Sequence, residues 1–156
     1  MTLKPLAITR GAVIAALYAA LVLAFQPISF GAVQFRVAEA LTLLPVLWIE
    51  AVPGLFVGCL IANISGGLGL IDIFLGSAAT LAAAALTRFA PNMFLAAAAP
   101  VAVNALVVGG YLSFIADMPF AAAALYVASG EAMACFALGI PLVNAIKRAG
   151  LRFKNN

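Results

Sequence analysis

Apolar stretches long enough to cross a lipid bilayer follow one another along almost the whole chain. The 156 residues include only 8 Lys and Arg and 5 Asp and Glu. A water-soluble domain carries charge on about a quarter of its residues, so water cannot be the solvent for most of this surface. With lipid as the solvent, about 25 residues for each span and its turn leave room for about six helices. The sequence therefore predicts an all-α integral membrane protein that forms one domain over residues 1–156.

Proline, glycine and short polar runs divide the apolar sequence into spans. Pro53-Gly54 and Pro91-Asn92 are typical turn signals, and Asp117 and Pro119 mark a further turn. The second and third spans are too short for a full helical crossing, and irregular backbone persists in a membrane only where protein or a water-lined cavity satisfies its polar groups. The pattern predicts an internal cavity among six transmembrane helices at residues 8–28, 37–48, 55–64, 70–89, 93–114 and 121–146.

The basic residues are distributed unequally between the two ends of these spans. With six spans both termini lie on the same side of the membrane, and that side would hold every Lys and Arg except Arg36. Because cytoplasmic loops are enriched in Lys and Arg, this distribution predicts that both termini are cytoplasmic. The net charge of +3 is accounted for by this topology and gives no indication of nucleic-acid binding.

Several polar residues lie inside the predicted spans, where lipid cannot satisfy them. Glu131 and Asn104 lie about 15 and 13 Å from the nearer span ends at 1.5 Å per residue, and a carboxylate in mid-bilayer costs at least about 2.5 kcal/mol. Under the predicted orientation the carboxylates and amides converge in the outer half of the membrane, which indicates an outward-facing ligand pocket. The candidate substrate-binding residues are Glu131, Glu39, Asn104, Asn63, Asp72, Arg36 and Tyr111.

Each candidate also has a purely structural interpretation. Arg36 and Glu39, three residues apart, fit an ion pair at a helix end. Asp72 stands at a helix start, where a carboxylate caps the helix or complements its dipole. The two asparagines fit hydrogen bonds between helices, and Tyr111 fits the aromatic belt at the membrane interface.

Small residues recur at helical spacing in the first span. Ala12, Ala16 and Ala20 repeat every fourth residue, and Ala15 and Ala19 form a second row beside them. Such rows make a flat face that another helix can approach closely. They are candidate partner-docking residues, although alanine is abundant enough elsewhere in the chain to match this spacing by accident.

The motifs of common enzymes are missing. The sequence has no His and no GxxxxGK[ST], HExxH or GxSxG motif, so we expect no ATP hydrolysis by the chain itself and no catalytic site, metal or cofactor. Cys59 and Cys135 are expected to pack as small apolar side chains. Two other classes of protein stay open: a small intramembrane enzyme that uses Glu39 and Glu131 as an acid/base pair, and a structural helix bundle.

Four stretches resemble the QueT family of queuosine-precursor transporters. They are residues 33–45 (VQFRVAEALTLLP), residues 53–63 (PGLFVGCLIAN) with the glycine-rich segment up to residue 72, residues 104–109 (NALVVG), and residues 130–142 from Gly-Glu to Gly-Ile-Pro-Leu. The resemblance covers nearly the whole chain. Its first two stretches are specific, whereas the alanine-rich parts are not.

The resemblance implies the substrate-binding S component of an energy-coupling factor (ECF) importer in the bacterial plasma membrane. It implies a six-helix fold with an outward-open pocket, docking through the alanine rows of span one, and as partners a transmembrane coupling subunit (T component) and two cytoplasmic ATPases. The implied ligand is queuine, queuosine or a related 7-deazaguanine. Its N–H groups and its amine suit Glu131 and Glu39 as acceptors, since charge-assisted hydrogen bonds are strong. An S component for another vitamin-like solute and a stand-alone carrier are the alternatives within transport.

Overall fold

Helices account for the secondary structure of the part of the chain that can be described. In a computed structural model, residues 5–29 and 35–150 are described, and their elements are all helical. Helix α1 is Pro5–Ala24 and the short helix α2 is Gln26–Ser29. A 3-10 helix follows at Val37–Val46, and then helix α3 at Ala51–Gly66. The remaining helices are α4 (Asp72–Phe89), α5 (Met93–Ile115) and α6 (Phe120–Arg148).

Four of these helices are long and apolar enough to cross a membrane. They are α1, α4, α5 and α6, while the 3-10 helix and α3 are shorter apolar helices. Large apolar side chains cover much of the outer surface, with Phe114 87% and Phe89 82% exposed. A surface of this kind suits contact with lipid, so the prediction of an all-helical membrane protein is confirmed for the described residues.

Helices α1 and α3 differ from the sequence prediction in where they begin or end. Helix α1 ends at Ala24, before the predicted end at residue 28, because Pro27 lacks an N–H and its ring would clash with the carbonyl of Leu23. The chain then restarts as α2 with Pro27 in the first turn, where proline is tolerated. Helix α3 extends beyond the predicted 55–64 at both ends. Gly67 caps its C-terminal end, and the φ angle of Gly67, 77°, lies in the left-handed region that favours glycine.

The helices pack around the 3-10 helix. Helix α1 packs mainly on α3, α4 lies between α3 and α5, and α5 packs on α6. The 3-10 helix contacts α1, α4 and the middle of α6, and its residues 38–45 are all buried. This central position explains why its sequence is apolar except for Glu39 and Thr42.

Small residues let α1 and α3 approach closely. A Cβ added at Gly54 would lie 2.6 Å from the carbonyl oxygen of Gly11, and one added at Gly58 would lie 2.7 Å from that of Ala15. Real Cβ atoms do not come this close to backbone oxygens. Backbone-to-backbone packing of this kind is how helices associate in lipid, where apolar burial alone provides little driving force.

Candidate functional site

The acidic residues of the interior lie on or beside the three irregular helical segments. Glu39 belongs to the 3-10 helix. Asp72 opens α4 in a π-helical segment, Asp72–Gly76. Glu131 lies two residues before a second π-helical segment, Met133–Gly139 within α6. Long 3-10 runs and π-helical turns are uncommon and occur often at functional sites, so the backbone marks the same region as the charged side chains.

One group of polar side chains centres on Asp72. Its Oδ1 lies 3.5 Å from Nη2 of Arg36 and accepts a hydrogen bond from the hydroxyl of Tyr111. The Asp72 carbonyl accepts from Asn63 Nδ2 at 3.0 Å. A Cβ at Gly76 would lie 2.8 Å from Asp72 Oδ1 and 2.9 Å from Asn63 Nδ2. The lack of a side chain at Gly76 therefore leaves room for these groups to meet.

A second group centres on Glu39. The Tyr18 hydroxyl of α1 donates to Glu39 Oε1. Thr42, one 3-10 turn later, donates to the Glu39 carbonyl. The thiol of Cys135 on α6 lies 3.6 Å from the same carbonyl oxygen. Glu39 is thus held between α1, its own helix and α6, and it is fully buried.

Glu131 extends this second group. Its Oε1 accepts a hydrogen bond from Asn104 Nδ2 at 2.8 Å, and its Oε2 lies 3.9 Å from the Cys135 sulfur. Both of these neighbours are neutral. Glu131 is 3% exposed. The Cys135 thiol, which also lies 3.6 Å from the Glu39 carbonyl oxygen, therefore joins Glu131 to the group around Glu39.

Several buried polar atoms of this region have no hydrogen-bond partner among the described residues. Three of them are acceptors: Glu39 Oε2, Asp72 Oδ2 and Asn63 Oδ1. The hydroxyls of Ser29 and Ser77 also have no hydrogen-bond partner among the described residues. Buried polar groups are nearly always hydrogen-bonded to protein, water or ligand. The three acceptors therefore suit a bound molecule that presents several N–H or O–H donors.

All seven predicted substrate-binding residues lie in the interior, in two hydrogen-bonded groups. Asp72 makes contacts with other elements through its side chain, beyond any capping role. Tyr111 is 7% exposed and bonded to Asp72, which an interface-belt residue would not be. The ion pair of Arg36 joins it to Asp72, and Glu39 is bonded to Tyr18. Within residues 5–29 and 35–150, no group of three or more His, Cys, Asp or Glu side chains is placed to hold a metal.

Sequence reasoning missed Tyr18 and the polar contacts of the cysteines. Tyr18 lies within α1, away from the membrane interface where tyrosine is common. Because a buried phenol needs a hydrogen-bond partner, a tyrosine inside a predicted span is the sequence feature that indicates a polar contact here. Cys59 is buried as expected, and its sulfur also accepts from Asn63 Nδ2 at 3.4 Å and from the Thr80 hydroxyl at 3.3 Å. No sequence pattern distinguishes such a thiol from one that only packs.

The five candidate docking alanines of α1 divide between two surfaces. Ala15 and Ala19 are each 7% exposed and lie on the side of α1 that packs within the chain, where Gly58 of α3 approaches Ala15. Ala12, Ala16 and Ala20 are exposed. A groove of about 490 Å³, lined by apolar residues of α1 and α3, runs beside Ala12. The surface of α1 that is open to another helix therefore carries the row of three.

Comparison with known proteins identifies a family. The family model described as QueT transporter matches residues 8–148, which is nearly the whole chain. No curated protein and no solved structure matches the sequence.

Proposed function

Because the chain belongs to the QueT transporter family, we propose that it is the substrate-binding S component of an ECF importer. A transporter must bind a small molecule and lie in a membrane, and the four long apolar helices suit that setting. The observation that carries the proposal is the set of three unpartnered acceptors, Glu39 Oε2, Asp72 Oδ2 and Asn63 Oδ1. All three residues are fully buried, and the burial of these acceptors is unfavourable unless a ligand or water pairs with them.

The proposed topology has six crossings in one domain, with both termini in the cytoplasm of a bacterium and the protein in its plasma membrane. The excess of Lys and Arg on the side of the termini supports this orientation. The groups around Asp72 and Glu39 then lie in the outer half of the membrane. The segment at residues 65–69, which includes the end of α3, would close the site from outside. The other proposed closing segment, residues 30–35, lies outside the described residues except for Phe35.

The proposed ligand is a 7-deazaguanine such as queuine, queuosine or a precursor base. Its guanine-like edge presents adjacent N–H donors, which a carboxylate accepts together, and its amine is cationic. The site offers three carboxyl groups, those of Glu39, Asp72 and Glu131, against the guanidinium of Arg36. This balance favours a ligand that is rich in donors and carries positive charge.

The proposed partners are a transmembrane T component and two cytoplasmic ATPases. The exposed row of Ala12, Ala16 and Ala20 supports docking of a partner helix, because small residues allow close approach in lipid. The neighbouring groove of about 490 Å³ would receive larger side chains of that helix. In the proposed cycle the ligand is captured from outside, the loaded subunit docks through α1, and ATP hydrolysis in the partners drives release inward.

A binding titration tests this function directly. Purified protein in lipid nanodiscs is titrated with queuine, queuosine, guanine and riboflavin, and the bound compound is recovered and analysed. We expect binding of the deazaguanines, with the ligand returned unchanged. Binding of riboflavin alone would retain the importer and discard the ligand class. A chemically altered ligand would support an intramembrane enzyme instead, and no binding by a folded protein would refute the proposal.

Co-reconstitution tests the partners. Vesicles that contain the chain alone should show no uptake of labelled queuine, whereas vesicles that also contain a T component and its ATPases should show ATP-dependent uptake. Uptake by the chain alone would indicate a stand-alone carrier.

A further inference from the structure

Tyr18 lies between the two surfaces that the proposed function requires to act together. Its side chain is fully buried and packs toward Gly58 of α3. Ala16 and Ala20, two positions before and after it, are exposed. Since an α-helix turns by about 100° per residue, the ring of Tyr18 points away from this exposed row.

The hydroxyl of Tyr18 reaches the ligand site. It donates to Oε1 of Glu39, while Oε2 of the same carboxyl group is buried and has no partner among the described residues. One oxygen of Glu39 therefore holds α1, and the other is available to a donor on a ligand. A change at either oxygen alters the charge that the other presents.

Two other attachments of α1 are of a different kind. Near its start, Arg10 Nη1 pairs with Glu50 Oε1 at 2.9 Å. Along its middle, α1 is held by close contacts between small residues of α1 and α3. Neither attachment involves the carboxyl groups of the ligand site, whereas the bond from Tyr18 to Glu39 does.

We propose that Tyr18 is a positioning residue that transmits occupancy of the ligand site to the partner-docking face of α1. The inference rests on the proposed function. A ligand donor that takes Glu39 Oε2 changes the hydrogen bond at Oε1, and with it the position of α1 that is most stable. A ligand shifts a conformational equilibrium only through such a difference in interaction. The exposed row of Ala12, Ala16 and Ala20 moves with the helix and so presents a different surface when the site is filled.

The chain contains a reporter for this movement in its single tryptophan. The ring centroid of Trp48 lies 5.7 Å from Cζ of Arg10 on α1, so displacement of α1 changes the surroundings of the indole. The experiment records tryptophan emission of the full chain in nanodiscs at saturating queuine, and calorimetry measures the affinity separately. The variants are Tyr18→Phe, which keeps the ring and removes the hydroxyl, and the matched control Tyr111→Phe, which removes the hydroxyl that binds Asp72.

We expect queuine to change the emission of the wild type. Tyr18→Phe should bind queuine roughly tenfold more weakly and show no emission change at saturation. Tyr111→Phe should also bind more weakly but keep the change. If Tyr18→Phe does not fold, Glu39→Gln retains the acceptor for Tyr18, removes the shared charge, and should likewise lose the change at saturation.

Three results would overturn the inference: an unaltered emission change in Tyr18→Phe, a lost change in Tyr111→Phe, or no change in the wild type with queuine bound. Failure of the wild type to bind queuine in calorimetry is a separate result. It would defeat the proposed function, and this inference with it.

Discussion

Glu131 allows the proposed binding role of a buried carboxyl group to be separated from its effect on the fold. It is 3% exposed, and its hydrogen-bonding neighbours are the neutral groups of Asn104, at 2.8 Å, and Cys135, at 3.9 Å. Glutamine has nearly the same shape and can still accept from Asn104. The substitution Glu131→Gln therefore removes a charge that the ligand-free protein does not use in a hydrogen-bonded ion pair.

We expect Glu131→Gln to leave the stability of the fold unchanged or to raise it, and to weaken ligand binding. Removing an uncompensated buried charge leaves the free energy of unfolding unchanged or raises it by up to about 3 kcal/mol. Losing a charge-assisted hydrogen bond to the ligand weakens binding by about 1.5–3 kcal/mol, which is about a 10- to 150-fold increase in Kd.

Thermal unfolding and calorimetric titration with queuine measure the two effects on the same samples. Glu50→Gln is the matched control, because Glu50 pairs with Arg10 at 2.9 Å and belongs to neither polar group of the proposed ligand site. We expect this control to lower stability by about 1–3 kcal/mol and to leave the Kd unchanged. A wild-type Kd in Glu131→Gln would refute the role of Glu131 in binding, and a loss of both stability and binding would refute the argument about its charge.

Four further substitutions test packing and pairing. Gly58→Ala should destabilise the protein by about 1–3 kcal/mol, because the added Cβ would collide with the α1 backbone. Gly110→Ala is the control: nothing lies within 4 Å of its added Cβ, so it should stabilise the protein by about 0.5–1 kcal/mol. Equal melting temperatures of the two variants would contradict this prediction. Arg36→Met should lower the free energy of unfolding by about 3–5 kcal/mol, because it leaves the buried Asp72 carboxylate without this cation. Chemical denaturation measures this change, and a variant as stable as the wild type would show that the ion pair is dispensable. Thr87→Val removes a buried hydrogen bond to a backbone carbonyl and should cost about 0.5–1.5 kcal/mol without changing the Kd for queuine; an altered Kd would place this end of α4 in the ligand site.

Most of the helix positions follow from the sequence because apolar length and turn residues act locally. Pro91-Asn92 separates α4 from α5 as predicted, and Asn92 caps α5 by accepting from the Leu95 N–H at 2.9 Å. The predicted end of α1 at residue 28 is wrong, because Pro27 ends the helix at Ala24 even though the surrounding sequence is apolar. Six crossings and the orientation of the termini stay predictions.

The burial of the seven candidate polar residues also follows from the sequence, whereas the contribution of Tyr18 and the pairing of the side chains do not. Lipid cannot satisfy a carboxylate, so Glu39, Asp72 and Glu131 had to find partners in the interior. Which partner each one finds depends on the 3-10 and π-helical segments that carry them. An α-helical spacing of 3.6 residues does not describe those segments, so it could not assign Tyr18 to Glu39.

The 3-10 helix has a consequence for counting membrane crossings from sequence. A 3-10 helix rises about 2.0 Å per residue against 1.5 Å in an α-helix, so Val37–Val46 spans about 20 Å where an α-helix of equal length spans about 15 Å. Hydropathy windows assume the α-helical rise and need about 20 apolar residues to recognise a span. A 3-10 segment reaches further through the bilayer than its length in residues suggests, and a hydropathy window of about 20 residues does not detect it.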